Sequence, residues 1–164
     1  MSVEIVDRDI FVEPFGVILH SCNCYHKMGA GIAKEIRIRY PRAYEVDLST
    51  QYGDRSKLGQ FSVALASKDQ PDTILNMYTQ HRYGRDKVYV EYDKFYECLE
   101  NVKKWITSME IQKLPMKIPF NISCNNAGGD WKKILSIINY SFEKEDGVAV
   151  YICRKPLLLG LPKI

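Results

Sequence analysis

HSCNCYHKMGAGIAKEI, residues 20–36, reads as the end of a strand, a glycine-containing loop and the start of a helix. An apolar, β-branched run at 16–20 precedes it and predicts a strand that ends near His20. The helix is predicted over 31–40 from apolar residues at helical spacing, which are Ile32, Ala33, Ile36 and Tyr40. Pro41 ends this helix, because proline disfavours helical backbone in the residue before it.

Strand and helix patterns alternate along the rest of the chain. Strands are predicted at 3–6, 16–20, 61–65, 73–79, 116–120 and 148–153. Two further helices carry the apolar stripes Phe95, Leu99, Val102, Ile106 and Ile134, Leu135, Ile138, Phe142. This order predicts an α/β fold, in one domain over residues 1–164, with helices on both faces of a largely parallel or mixed sheet.

The composition is that of an ordinary folded protein, with 46% hydrophobic, 26% charged and 12% aromatic residues. The balance of 23 basic against 20 acidic residues leaves a net charge of +3, too small to predict binding to duplex nucleic acid. The best basic cluster, Arg82, Arg85 and Lys87, is sized for one phosphorylated ligand. No run approaches the roughly 18 apolar residues of a membrane span, and the start has no secretory pattern, so we expect a cytoplasmic protein without membrane contact.

The five cysteines are odd in number and none are separated by two residues, which argues against a disulfide framework and a zinc ribbon. Reduced thiols are the expectation. Cys22, Cys24 and His26 share at best one face of an extended segment, and no second cluster completes a tetrahedral site. The sequence therefore predicts no metal and no cofactor.

Two loops have the chemistry of a phosphate site. MGAGIA (28–33) follows the strand that ends near His20, and SCNNAGGDW (123–131) follows the strand at 116–120. Glycines let a backbone approach phosphate closely, and the free N–H groups at a helix start favour negative charge. Because ligands of α/β sheets bind beyond the carboxyl ends of the strands, the two loops predict a cleft for a diphosphate.

Three stretches together resemble one known family. HSCNCYHKMGAGIAKEIRIRYP (20–41), NMYTQHRYGRD (76–86) and IPFNISCNNAGGDW (118–131) are similar to the first ligand loop, central strand and second ligand loop of macro domains. The likeness is strongest to the small branch that includes ADP-ribose 1''-phosphate phosphatases. It implies a three-layer α/β/α fold with a central mixed sheet, and ADP-ribose or a derivative as the ligand.

The resemblance also implies ligand contacts. Asp9 and Ile10 stand where macro domains contact adenine, and Asn23 matches the asparagine at the distal ribose. The other ligand-binding candidates lie in or beside the two loops: Ser21, Met28, Gly29, Ala30, Gly31, Ile32, Ser123, Cys124, Asn125, Asn126, Ala127, Gly128 and Gly129. Local roles are the open alternatives: a turn cap for Asp9, and a tie within its own loop for Asn23.

In the phosphatases of this branch, a histidine at the position of His20 acts with an acid in the second loop. That loop has no acid at 121–129, and the nearest is Asp130, so His20 and Asp130 are the catalytic candidates. Ala127 stands where deacylating relatives have an aspartate, which disfavours their mechanism. The leading expectation is hydrolysis of the phosphomonoester of ADP-ribose 1''-phosphate. The alternatives are a non-catalytic ADP-ribose-binding module and an ADP-ribosyl hydrolase acting on modified macromolecules.

Overall fold

Six strands form one mixed sheet in the computed structural model, which describes residues 3–143 and 147–156. In chain order they are β1 (Val3–Asp7), β2 (Val17–Cys22), β3 (Phe61–Ala64), β4 (Thr73–Tyr78), β5 (Met116–Pro119) and β6 (Val150–Arg154). Their spatial order is β1-β6-β5-β2-β4-β3, and only the β3–β4 pair is antiparallel. The predicted mixed sheet is confirmed.

In the described part of the chain, four α-helices cover the sheet, two on each face. They are α1 (Gly31–Arg39), α2 (Pro41–Leu48), α3 (Tyr92–Ser108) and α4 (Trp131–Phe142). The apolar stripes of α3 and α4 share one core with Leu19 of β2, whereas α1 and α2 share a second core with Ile18. Neighbouring residues of β2 face opposite layers because side chains alternate along a strand. The three-layer α/β/α fold is therefore confirmed.

Helix α2 was not expected from the sequence. Pro41 does end α1 as predicted, but it also begins a second helix, and Tyr40 is the boundary residue of both. Proline suits the first position of a helix, since the N–H that it lacks would have no partner there. The proline that ends helix α1 therefore also begins helix α2.

A buried ion pair anchors the segment that follows β1. Lys117 on β5 and Asp72 are both fully buried, and Lys117 Nζ lies 2.9 Å from Asp72 Oδ1. The same ammonium donates to the carbonyl of Ile10 at 2.7 Å, and the Tyr40 hydroxyl donates to Asp72 Oδ2 at 2.9 Å. These bonds fix the turn after β1 against the centre of the sheet.

Within the described residues, no helix combines the length and apolar character that a membrane crossing needs. The prediction of one domain over 1–164 includes positions outside the described ranges, and it stays a prediction.

Candidate functional site

A cavity of about 640 Å³ lies at the carboxyl ends of three neighbouring parallel strands, β5, β2 and β4. Its wall is made by the segments that follow those strands: the β2 loop (23–30) with the start of α1, the β4 loop (79–91), and the β5 loop (120–130). The two glycine-containing loops predicted to face each other thus do so, because β2 and β5 are adjacent in the sheet.

Many of the predicted ligand-binding residues are brought together here. Those that line the cavity are Ser21, Asn23, Gly29, Ala30, Gly31, Ile32, Ser123, Asn125, Asn126 and Ala127. Those that do not line it are Asp9, Ile10, Met28, Cys124, Gly128 and Gly129, together with both catalytic candidates, His20 and Asp130.

The β2 loop presents unpaired backbone donors at the start of α1. Ala30 is the residue before the helix and has no side chain that could cap it, and Gly31 has a φ of +56°. Among the described residues, the N–H groups of Gly29, Gly31 and Ile32 make no hydrogen bond to another protein group. A helix start with free N–H groups attracts negative charge.

The β5 loop is held in an unusual backbone conformation. Asn121 and Ser123 have φ of 64° and 63°, in the left-handed region that favours glycine. The Ser123 hydroxyl lies 2.5 Å from that of Ser21, which ties the loop to the end of β2. In the described part of the chain, the N–H groups of Asn125 and Asn126 have no protein acceptor. This loop therefore offers a second set of donors to the cavity.

The charged side chains in the wall are cations. Lys27 and Arg85 both line the cavity and both are exposed, and no aspartate, glutamate or histidine is found among its described lining residues. Arg85 Nη2 donates to Asn126 Oδ1 at 2.9 Å, joining the β4 loop to the β5 loop. The wall thus combines backbone donors with two positive charges, an arrangement suited to an anionic ligand.

Asn23 ties its own loop together and keeps one donor free. Its side-chain oxygen accepts from the N–H groups of Tyr25 at 2.9 Å and Lys27 at 3.3 Å, and its Nδ2 donates to the Lys27 carbonyl at 2.9 Å. The expected loop tie is present, whereas the ribose contact stays a prediction, for which one N–H of the amide nitrogen is left unused.

Four predicted contacts that do not line the cavity, three in the second loop and Met28 in the first, have structural partners. A Cβ on Gly128 would lie 2.8 Å from the Lys87 carbonyl oxygen, so this glycine lets the β4 and β5 loops approach closely. The Gly129 N–H donates to the Ser123 carbonyl within the loop. Burial raises the pKa of the Cys124 thiol to about 11, and Met28 packs with Cys22 in a small apolar cluster.

The turn after β1 lies outside this cavity. Asp9 Oδ1 accepts from the Phe11 N–H at 3.0 Å, a local turn bond. Ile10 is only 5% exposed and its carbonyl binds Lys117, as described above. The sequence alternative of a turn cap at Asp9 is therefore met.

His20 points away from the cavity and into the layer of α1 and α2. It is fully buried, and its Nε2 lies 2.6 Å from Asn76 Oδ1, while Asn76 Nδ2 donates to the Ala43 carbonyl of α2. Burial lowers the pKa of His20 to about 4, so the ring is neutral at pH 7. The strand alternation that puts Ser21 in the cavity wall turns His20 to the opposite face, which does not support its predicted catalytic role.

Asp130 caps α4. Its carboxylate accepts from the Lys132 N–H at 2.9 Å, and its own N–H donates to the Tyr92 hydroxyl at 2.9 Å. The side chain is thus engaged as an N-cap outside the cavity wall. Its position explains the acidic residue in the motif without a catalytic role.

The β4 loop is the part of the wall that sequence reasoning missed as a unit. The loop residues that line the cavity are Gln80, Tyr83, Gly84 and Arg85. The available signal is the basic cluster of Arg82, Arg85 and Lys87, whose size suits one phosphorylated ligand. This cluster is far in sequence from both glycine-containing loops, so the sequence did not indicate that all three segments meet at one site.

The three residues considered as metal ligands, Cys22, Cys24 and His26, contact separate partners. Cys22 contacts His20, Cys24 Sγ donates to the Gln80 carbonyl, and His26 binds Thr50. Over residues 3–143 and 147–156, no three His, Cys, Asp or Glu side chains are grouped in a way that could hold a metal ion.

Two sequence relatives stand out, and no family model matches the chain. An uncharacterized 17.5 kDa protein from the tk-vs intergenic region of Enterobacteria phage T4 is 31% identical over 144 residues, which cover 86% of this chain and 88% of the phage protein. An ADP-ribose 1''-phosphate phosphatase of Aspergillus oryzae is 39% identical over 46 residues, or 27% of this chain and 23% of that enzyme. The second likeness thus spans about a quarter of each chain.

Solved macrodomain structures share the fold. The macrodomain of Thermus aquaticus DarG aligns with a TM-score of 0.75 at 18% identity, over 93% of this chain and 97% of that one. Thermosipho africanus DarTG in complex with ADP-ribose aligns with a TM-score of 0.74 at 18% identity, over 98% of this chain and 43% of that one. At such identities the likeness is one of architecture.

Proposed function

We propose that this chain, which shares the fold of solved macrodomains, is a macro domain that binds ADP-ribose-type nucleotides in the cavity between the β2, β4 and β5 loops. The observation that carries the proposal is the pair of facing loops with unpaired N–H donors and no acid in the described wall between them. The volume of about 640 Å³ is within the usual range of nucleotide-sized pockets. The ADP-ribose complex of the Thermosipho africanus protein, which shares this fold, supports the same ligand here.

The diphosphate would lie between the β2 and β5 loops, where N–H groups from Gly31 and Asn126 come from opposite walls. Phosphate oxygens accept several such bonds at once, and charge makes each one stronger than a bond to a neutral group. The free N–H of Asn23 suits the hydroxyls of the distal ribose, as the resemblance implies. Asp9 and Ile10 lie outside the cavity, on a turn held by Lys117, and stay the proposed adenine contacts on the ground of the family resemblance alone.

Titration calorimetry with ADP-ribose, AMP and ribose 5-phosphate tests this proposal. ADP-ribose should bind well above the other two, because only the intact diphosphate engages both loops. Equal and weak affinities for all three ligands would contradict a diphosphate site.

A second candidate function is hydrolysis of ADP-ribose 1''-phosphate, with release of inorganic phosphate. It is favoured by the partial likeness to the Aspergillus oryzae phosphatase and by the two cations, Lys27 and Arg85, which fit a ligand more anionic than ADP-ribose. Phosphate release measured with and without a chelator separates catalysis from binding and tests for a metal requirement. Binding of the substrate without phosphate release identifies the chain as a binding module.

A further inference from the structure

The hydrogen bond between Arg85 and Asn126 closes one side of the cavity. Arg85 Nη2 and Asn126 Oδ1 lie 2.9 Å apart, and each residue comes from a different loop of the wall. Asn126 also reaches the third segment, because its Nδ2 lies 2.6 Å from the place that a Cβ on Gly31 would take. One amide side chain therefore stands between the guanidinium of Arg85 and the free N–H groups at the start of α1.

The backbone beneath this bond is fixed. The N–H groups of Tyr89 and Val90 both donate to the Ala127 carbonyl, at 2.8 and 3.3 Å, and Gly128 packs against the carbonyl of Lys87. The β4 and β5 loops are thus joined by main-chain contacts independent of Arg85. Its exposed side chain can change partners while these main-chain contacts stay in place.

The present partner of Arg85 is weak compared with a phosphate. A neutral amide oxygen accepts a single bond, whereas a phosphate takes two parallel bonds from the guanidinium and adds charge attraction. No acid in the described wall competes for the guanidinium. Asn126 therefore keeps Arg85 oriented toward the diphosphate path without neutralising it.

We propose that Arg85 is a specificity-determining cation of this site, which exchanges Asn126 for the diphosphate of the ligand when the ligand enters. The inference rests on the proposed function and adds a residue from the β4 loop to the two glycine-containing loops. It predicts that Asn126 competes with the ligand for Arg85, so that the two side chains are energetically coupled in binding.

Arg82 offers a matched control on the same loop. Its guanidinium lies over the Tyr25 ring, 5.1 Å from the ring centroid, and the side chain does not line the cavity. Arg85→Gln and Arg82→Gln remove the same charge from the same segment. They differ in whether the lost group borders the proposed diphosphate path.

The test is calorimetric titration of the full chain with ADP-ribose and, separately, with inorganic pyrophosphate. Arg85→Gln should weaken binding of both ligands about 10- to 100-fold, the usual loss for a charged hydrogen-bond donor, and Arg82→Gln should leave binding unchanged. Asn126→Ala should tighten binding in the presence of Arg85 and have no such effect in the Arg85→Gln background. This background dependence separates competition from simple loss of a contact.

Equal affinities of Arg85→Gln and Arg82→Gln for both ligands would overturn the assignment of Arg85. An identical effect of Asn126→Ala in both backgrounds would overturn the exchange. If ADP-ribose fails to bind but pyrophosphate binds in an Arg85-dependent way, the inference stands and the proposed nucleotide function fails. Absence of binding to either ligand contradicts both.

Discussion

The hydroxyl oxygens of Ser21 and Ser123 lie 2.5 Å apart and join the end of β2 to the β5 loop. Ser123 holds a left-handed backbone at this point, with a φ of 63°, so the bond stabilises a conformation that is unfavourable for a serine. We expect Ser21→Ala and Ser123→Ala to be coupled by about 0.5–1.5 kcal/mol in a double-mutant cycle, the usual net contribution of one intramolecular hydrogen bond. Urea unfolding of the four proteins measures it, and strictly additive effects would show that the hydroxyls do not support each other.

A substitution at Gly31 tests whether the β2 loop binds the anionic part of the ligand. We expect Gly31→Glu to abolish ADP-ribose binding, because a carboxylate at the helix start would occupy the diphosphate path and repel the ligand. Gly147→Glu is the control, since Gly147 also has a positive φ, of +82°, with open space around its Cβ position and no part in the cavity.

Both Gly31→Glu and Gly147→Glu should cost about 1–2 kcal/mol of unfolding free energy from the left-handed backbone, and Gly31→Glu must in addition displace the Asn126 amide, which lies 2.6 Å from the Cβ position. Only Gly31→Glu should lose binding in calorimetry. Retained affinity in a folded Gly31→Glu protein would place the ligand elsewhere.

Burial of His20 makes stability fall in mild acid. Its folded pKa of about 4 is below the unfolded value of 6.5, so between these pH values the unfolded chain binds a proton that the folded protein does not. The stability that His20 contributes is complete above pH 6.5 and is lost as pH falls toward 4, by roughly 3 kcal/mol at 1.36 kcal/mol per pKa unit. The difference between wild type and His20→Gln, measured by denaturant unfolding from pH 7 to 4, isolates this residue. A constant difference across that range would contradict the buried, neutral ring.

Catalysis, if it occurs, should not depend on His20. Since the ring lies on the opposite face of β2 from the cavity, we expect His20→Gln to release phosphate from ADP-ribose 1''-phosphate at a rate close to wild type. Asp130→Asn should also keep turnover and stability, because asparagine is an equally good N-cap. A loss of about 10²–10⁴-fold in either variant, the usual contribution of a positioned acid or base, would restore that residue to the site.

Removing one partner of the buried ion pair between Lys117 and Asp72 should lower the free energy of unfolding strongly. Asp72→Asn leaves an uncompensated buried ammonium, and we expect a loss of about 3–5 kcal/mol in unfolding free energy. Asp7→Asn is the comparison, because Asp7 pairs with Arg154 on the exposed edge, where solvent screens the charges. Similar small losses in both variants would show that the buried pair does not anchor the turn after β1.

The sequence identified elements whose signals are local. The strand before His20, the glycine loop and the helix that ends at Pro41 follow from periodicity and backbone preference over a few residues each. Helix α2 was missed because Pro41 carries both an end and a start signal, and neighbouring side chains do not distinguish them.

The same distinction applies to the candidate site: the sequence predicted which segments form it, but not the direction in which each side chain points. Ser21, Gly31 and Asn126 were predicted to bind the ligand, and all three line the cavity, since they lie at the carboxyl end of a strand or in the segments that follow one. His20 was predicted for its chemistry, yet the alternation of side chains along β2 turns it to the other face.

The sequence by itself determined the α/β order, the two glycine-containing loops and the resemblance to macro domains, because these are carried by residues adjacent in the chain. Only the tertiary structure decided that Arg85 borders the same cavity and pairs with Asn126, 41 positions away. It likewise decided that Gly128 serves the contact between two loops. The physical reason is that the order of β5, β2 and β4 in the sheet brings their following loops together, and that order is set by packing between segments distant in sequence.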